Sequence, residues 1–306
     1  MKYSFWCDEI FLLVRQLFLL VRQLFHRLID KEYFICYNLY EVGKMNLRQQ
    51  RKTPVIKSNE LIQRSKFSLS TQQQKMVLYL ISKIKPTDKD FDIYEFNIQE
   101  FCKVCGIDYR SGKNYADLKE QIKSIADKSM WIYTASGVSS LVRWIEKPYI
   151  DENSGIVKIK LDNDLKPYLL ELQNNYTKYD LIYTLCFKSK YSIRLYELLK
   201  SIFYGYDDKY TYRFAVDDLK EKLDYTGIEF FNFHNKVIKV AVAEINSLSD
   251  LRVEYEIIKS NRKATHISFT IENKSHIERL KIQVAIEDIL NPNPNQLQFD
   301  FGEDEE

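Results

Sequence analysis

Sliding the sequence against itself by 118 positions lays Phe96 on Phe214, Ile98 on Val216, Phe101 on Leu219, Cys105 on Leu223, Tyr115 on Phe233 and Ile122 on Val240. The two stretches match in apolar pattern rather than in identity, which predicts one module used twice. In the first copy, SLSTQQQKMVLYLISKI (68–84) opens on Ser/Thr and spaces Met76, Val77, Leu80, Ile81 and Ile84 as a helix does. FDIYEFNI (91–98) reads as a short strand running into the helix IQEFCKVCGI. After the polar turn DYRSGKN comes a helix YADLKEQIKSIADKS (115–129), then MWIYTASGVSSLVRWIEKPYI, which alternates as strand, turn, strand.

The second copy repeats that order. KSKYSIRLYELLKSIFYG (188–205) is an amphipathic helix carrying Ile193, Leu195, Tyr196, Leu198, Leu199 and Ile202. TYRFAVDDLKEKLDY is a strand feeding a short helix, and FNFHNKVIKVAVAEINSLS (231–249) is a longer helix. LRVEYEIIKSNRKATHISFTI is a hairpin with a basic tip. Helix, short strand, helix, turn, helix, hairpin is the order of a winged helix. The expected fold class is therefore α+β: two tandem winged-helix domains related by a pseudo-twofold internal repeat.

With 306 residues the chain has material for about two domains. The expected divisions are an N-terminal extension (1–44), a basic arm (45–57), a first winged helix (58–175), a second (176–273), and a C-terminal helix with an acidic disordered tail (274–306). The net charge of +2 hides an uneven spread: residues 46–66 hold six Lys/Arg against one Glu, whereas the chain ends in DFGEDEE. A near-neutral total of this kind does not exclude a polyanion partner.

Several chemistries are excluded on inventory. Gly106 and Gly112 stand six apart and Asn114 follows Lys113, so GIDYRSGKN is not a phosphate loop, and neither GxGxxG nor GxSxG occurs. The four histidines (26, 234, 266, 276) form no HxH or HExxH pair. Five cysteines are too few and too scattered for a disulfide framework. The one CxxC, Cys102 and Cys105, is followed by no second pair of zinc ligands and suits the buried face of a short helix. No catalytic residue, metal or cofactor is expected, and the chain is read as a non-enzyme.

What is present suits duplex DNA. A winged helix sets its third helix in the major groove and its hairpin against the backbone. The third helix of the second module begins with Asn232, His234, Asn235 and Lys236, with Lys239 a turn later, and its hairpin tip carries Lys259, Arg262 and Lys263. Asn pairs with adenine, Lys with guanine or phosphate. The first module offers Arg110, Lys113, Asn114, Lys119 and Lys123, diluted by Asp117 and Glu120.

The runs KSKYSIRLYELLKS, FAVDDLKEKL and FNFHNKVIKVAVAEINSLSDLRVEYEIIKSNRKATHISFTI closely resemble the replication initiator (Rep) proteins of iteron-containing bacterial plasmids, over about residues 54–272. The resemblance implies a cytoplasmic protein that binds double-stranded DNA, both the direct repeats of the origin and the operator of its own gene. It implies a homodimer through the first winged helix, host initiator and replicative helicase as partners, and no membrane. Many relatives carry consecutive cations where this chain has His234-Asn235-Lys236, which shifts the expected affinity toward the wing and the arm. A winged-helix repressor without initiator activity is the alternative. The tail segment QLQFDF is similar to peptides that dock on the bacterial sliding clamp, with Gln296, Leu297, Phe299 and Phe301 as candidate anchors.

FLLVRQL occurs twice in succession, at 11–17 and 18–24. Arg15 and Arg22 interrupt the run, so it is not read as a spanning helix. Two readings stay open. One is an amphipathic helix with Arg15, Gln16, Arg22 and Gln23 on a polar stripe. The other is a reading frame carried through repeated origin DNA, with Met45 as the natural start.

Overall fold

The computed structural model describes residues 45–85, 87–107, 112–133, 137–170, 172–203 and 209–291, with the side chains of 112–115 left aside. The N-terminal heptad repeat, Arg110, and the clamp candidates Gln296, Leu297, Phe299 and Phe301 lie outside the described residues, as do the side chains of Lys113 and Asn114. The chain divides between Gln50 and Arg51 into two units, and both winged helices belong to the second.

Strand β1 (Pro54–Ser58) leads into α1 (Asn59–Arg64), the short β2 (Ser65–Lys66) and α2 (Thr71–Ile81). A capping box between Ser70 and Gln73 starts α2. Next come β3 (Tyr94–Asn97), α3 (Ile98–Cys105) and α4 (Gly112–Asp127), then β4 (Ser129–Tyr133) and β5 (Ser139–Arg143). Tyr79 meets Phe101 and Phe96 edge-on, at 5.3 and 5.7 Å between ring centres, and these rings fill the core of the first module. Cys102 and Cys105 are buried on α3, and burial pushes their thiols up to about 11 and about 12, so they stay protonated.

The first module departs from the expected order in one respect. A second hairpin, β6 (Tyr149–Asp151) and β7 (Ile156–Ile159), follows β5, and β3 pairs with β7 rather than with the first hairpin. The pairing is tightened by Lys158 and Glu95, direct cross-strand partners 3.0 Å apart. The first hairpin pairs instead with β2.

Strand β8 (Tyr176–Asp180) runs antiparallel to β1 and precedes α5 (Lys190–Ile202), a helix buried along most of its length. The second module follows as β9 (Lys209–Ala215), α6 (Val216–Lys222) and a long helix α7. Helix α7 runs from Phe230 to Leu248 and contains a π-turn at His234–Ile238. Strands β10 (Leu251–Ser260) and β11 (Lys263–Asn273) complete the sheet, in the order β10-β11-β9.

Residues 51–57 do not form the basic arm expected of them. Lys57 is buried within β1, with its ammonium 2.6 Å from Glu197 on α5, and Tyr179 donates a hydrogen bond to the same carboxylate. Arg51 is also buried, donating to the Val104 carbonyl at 2.8 Å and pairing with Glu287. Both charges are satisfied by groups remote in sequence, so they knit the fold and are withdrawn from solvent.

The modules are joined around α5. Arg194 stacks over Phe67 at 4.5 Å and donates to the Ser65 carbonyl at 2.8 Å and the Lys222 carbonyl at 3.3 Å. Lys222 reaches back to the Gln63 carbonyl at 2.7 Å. A final helix, α8 (His276–Leu290), starts at the second sheet, where Glu278 accepts from Arg252 at 2.5 Å. It ends against the first module, where Leu290 packs on Gly106, the left-handed residue (φ +66°) that closes α3. A side chain at Gly106 would collide with Leu290.

Candidate nucleic-acid interface

Helix α7 is held to its sheet at two points. Near its start, His234 Nε2 lies 2.8 Å from the Tyr255 hydroxyl on β10, and its ring stacks on Phe230 with 5.9 Å between centres. Near its end, Asn246 both donates to Val253 O at 2.8 Å and accepts from Val253 N at 2.7 Å. Glu244 accepts from the Lys188 and Ser189 amides at 3.0 and 3.3 Å, at the entry to α5, which ties the helix to the rest of the chain.

Phe233, Val237, Ile238, Ala241, Val242 and Ile245 form the buried face of α7. Lys236, Lys239, Val240 and Ala243 are exposed, with Asn232 and Asn235 half-buried beside them. His234 does not belong with these residues. Its ring is clamped between Phe230 and Tyr255, and burial, aided by Lys239, holds its pKa below the usual value. It orients the helix rather than facing out as a base reader, and the sequence signal for this was the aromatic pair Phe230 and Tyr255.

Beyond His266, strand β11 loses its partner β9, so the β10–β11 ribbon projects alone. Register shifts between Ile258 and Lys259, a bulge that twists the ribbon. At the tip, Asn261 and Arg262 both have positive φ, +46° and +69°, as a two-residue hairpin turn with the right twist requires. Glycine is preferred at the second of those positions. Arginine there carries a conformational penalty of about 1 kcal/mol.

Lys236, Lys239, Lys259, Arg262 and Lys263 make no ion pair with a carboxylate among the described residues. By contrast, two of the first module's candidates face carboxylates at the surface: Lys119 pairs with Glu152, and Lys123 lies 3.9 Å from Glu120. Three uncompensated cations on one wing tip repel one another and gain when a polyanion lies against them. Arg143, exposed on β5, is a further cation without an ion pair among the described residues, and strand alternation placed it outward.

Residues 54–200 match the family model described as "Initiator Replication protein, WH1", and residues 215–271 that described as "Initiator Rep protein, WH2". The chain belongs to the Rep family of plasmid replication initiators. This Rep chain is 24% identical over 165 residues to the "PI protein" of Escherichia coli, covering 49% of each chain. It is 23% identical over 227 residues to a "Replication initiation protein" of Escherichia coli, covering 71% of this chain and 69% of that protein. The match thus spans about half the length of the first relative and about two thirds of the second. In fold, the Rep chain is similar to the crystal structure of the Pi initiator protein in complex with iteron DNA. The TM-score is 0.60 at 20% identity, covering 74% of this chain and 99% of that one. Among the described residues no Rep helix is long and apolar enough to cross a membrane.

Proposed function

We propose that the protein initiates plasmid replication by binding tandem repeats of the origin, and that it also represses its own gene. The observation carrying this reading is the set of five cations on helix α7 and the β10–β11 wing that make no ion pair among the described residues, set on a two-module frame of the Rep family. In this reading Lys239 and Asn235 enter the major groove with Asn232 beside them, and Lys236, Lys259, Arg262 and Lys263 lie along the phosphates. The first module adds weaker contacts through the start of α4, where Lys113 and Asn114 stand, with Lys119 and Lys123 drawn partly into their carboxylate pairs.

The protein acts in the cytoplasm as a scaffold, opening origin DNA and recruiting the host initiator and replicative helicase, with no reaction of its own. It also forms a homodimer through the first module. Trp131 and Leu141, directly opposed across β4 and β5, are 45% and 56% exposed, an apolar pair that favours such a contact. The tail bearing Gln296, Leu297, Phe299 and Phe301 docks on the sliding clamp. Footprinting on plasmid origin DNA tests the central claim. Several protected tandem repeats with melting of adjacent DNA are expected, whereas a single palindromic operator without melting defeats the initiator reading and leaves a repressor.

A further inference from the structure

The two modules differ at one place in a way that exposes apolar surface on the reading helix. The 118-residue offset that relates Phe101 to Leu219 and Cys105 to Leu223, all buried, lays α4 on α7. In α4 the buried stripe is Leu118, Ile122 and Ile125. At the same offset α7 has Lys236, Val240 and Ala243, and all three are exposed. Its buried residues, Val237, Ala241, Val242 and Ile245, stand one or two positions later.

The π-turn at His234–Ile238 accounts for the slip. A π-turn adds one residue to a helical turn, and one residue rotates the rest of a helix by about 100°. Residues that would occupy the core are thereby turned outward, and core packing is taken over by their neighbours. The hydrogen bond between His234 and Tyr255 fixes the first residue of that turn to the wing strand. Val240 is left 40% exposed between Lys236, Lys239 and Ala243, on a face that is open among the described residues. Water is a poor neighbour for that side chain. In a major groove the one apolar feature available to it is the thymine C5 methyl group.

We infer that Val240, with Ala243 one turn on, reads thymine methyl groups, and that the π-turn is the device that brings them to the groove. The inference rests on α7 being the reading helix of a DNA-binding initiator. It assigns specificity for A·T pairs to an apolar contact, leaving the lysines to supply affinity.

The test starts by selecting the preferred duplex from a random pool with the full chain. Each thymine of that duplex is then replaced singly by deoxyuridine, which deletes only the methyl group. Wild type should lose about four-fold in affinity at one or two thymines, the worth of one buried methyl group. Val240→Ser and Val240→Asn, both without a methyl group and both at a half-exposed position that spares the core, should bind the thymine and uracil duplexes equally at one of those positions. If wild type tolerates uracil everywhere in a site it binds tightly, the methyl contact is refuted while DNA binding stands. If the uracil penalty persists undiminished in both variants, the contact lies elsewhere and the assignment to Val240 is refuted. Failure to select any duplex would instead remove the DNA-binding reading on which the inference depends.

Discussion

Replacing Lys236 by Ala, Arg262 by Gly and Lys263 by Ala in one chain should remove three phosphate contacts without weakening the fold. All three side chains are exposed, and none is ion-paired among the described residues. Arg262 sits at φ +69°, where glycine relieves backbone strain, so thermal stability should hold or rise slightly. Each phosphate contact contributes about 0.9 to the slope of log affinity against log salt, so the slope should fall by about 2.7. Between 50 and 200 mM salt the affinity lost by wild type should then exceed that lost by the variant about 40-fold. Fluorescence anisotropy of labelled origin duplex across a salt series, with a melting curve for each protein, reads both quantities. Lys119→Ala with Lys123→Ala serves as the control, since those ammoniums already face Glu152 and Glu120, and its slope should change by well under half as much. A triple variant with the wild-type slope and a normal melting curve would show that the wing and helix start do not touch the backbone.

The remaining predictions concern the core and the gene. Lys57→Met or Glu197→Leu alone should cost about 3–5 kcal/mol in denaturant unfolding, because each strands a buried charge, while the double replacement should cost less than either; additive losses would refute the pairing. Burial, then the neighbouring Asp250, pushes the Asp180 carboxyl up to about 6, so its folded state favours the proton. Its stabilising contribution is complete below about pH 4 and is lost as pH rises through 6; Asp180→Asn should therefore stabilise by about 3 kcal/mol at pH 8 and little at pH 4, and a pH-independent difference would contradict this. Tyr255→Phe should cost about 1 kcal/mol in stability and weaken DNA binding through a loosened His234, with unchanged affinity as the contrary result. If residues 11–24 are translated repeat DNA, their two heptads should use identical codons, whereas synonymous differences would favour selection on the peptide.

Most helices and strands of both modules were legible because amphipathic spacing is local: Met76 to Ile81 and Ile193 to Ile202 each mark a buried helix face. The offset of 118 held for the four pairs before the reading helix and failed at Ile122, which is buried while Val240 is not. Nothing in FNFHNKVIKVAVAEINSLS announces a π-turn, since the extra residue leaves no trace in composition. Likewise β6 and β7 follow the first hairpin as another short alternation, and only the pairing of β7 with β3 and with β6 distinguishes them from a loop.

The amino-acid sequence by itself determined the order of elements, the tandem repeat and the cation clusters, because periodicity and charge runs are written within a few neighbouring residues. Only the tertiary structure decided which cations are free. Lys57 meets Glu197 and Arg51 meets Glu287, each more than a hundred residues away in sequence, while Arg262 and Lys263 meet no carboxylate among the described residues. Burial and pairing are set by what folds against a residue, and the partner's position in space is not written beside it. That same non-local packing turned Val240 outward and drew His234 in.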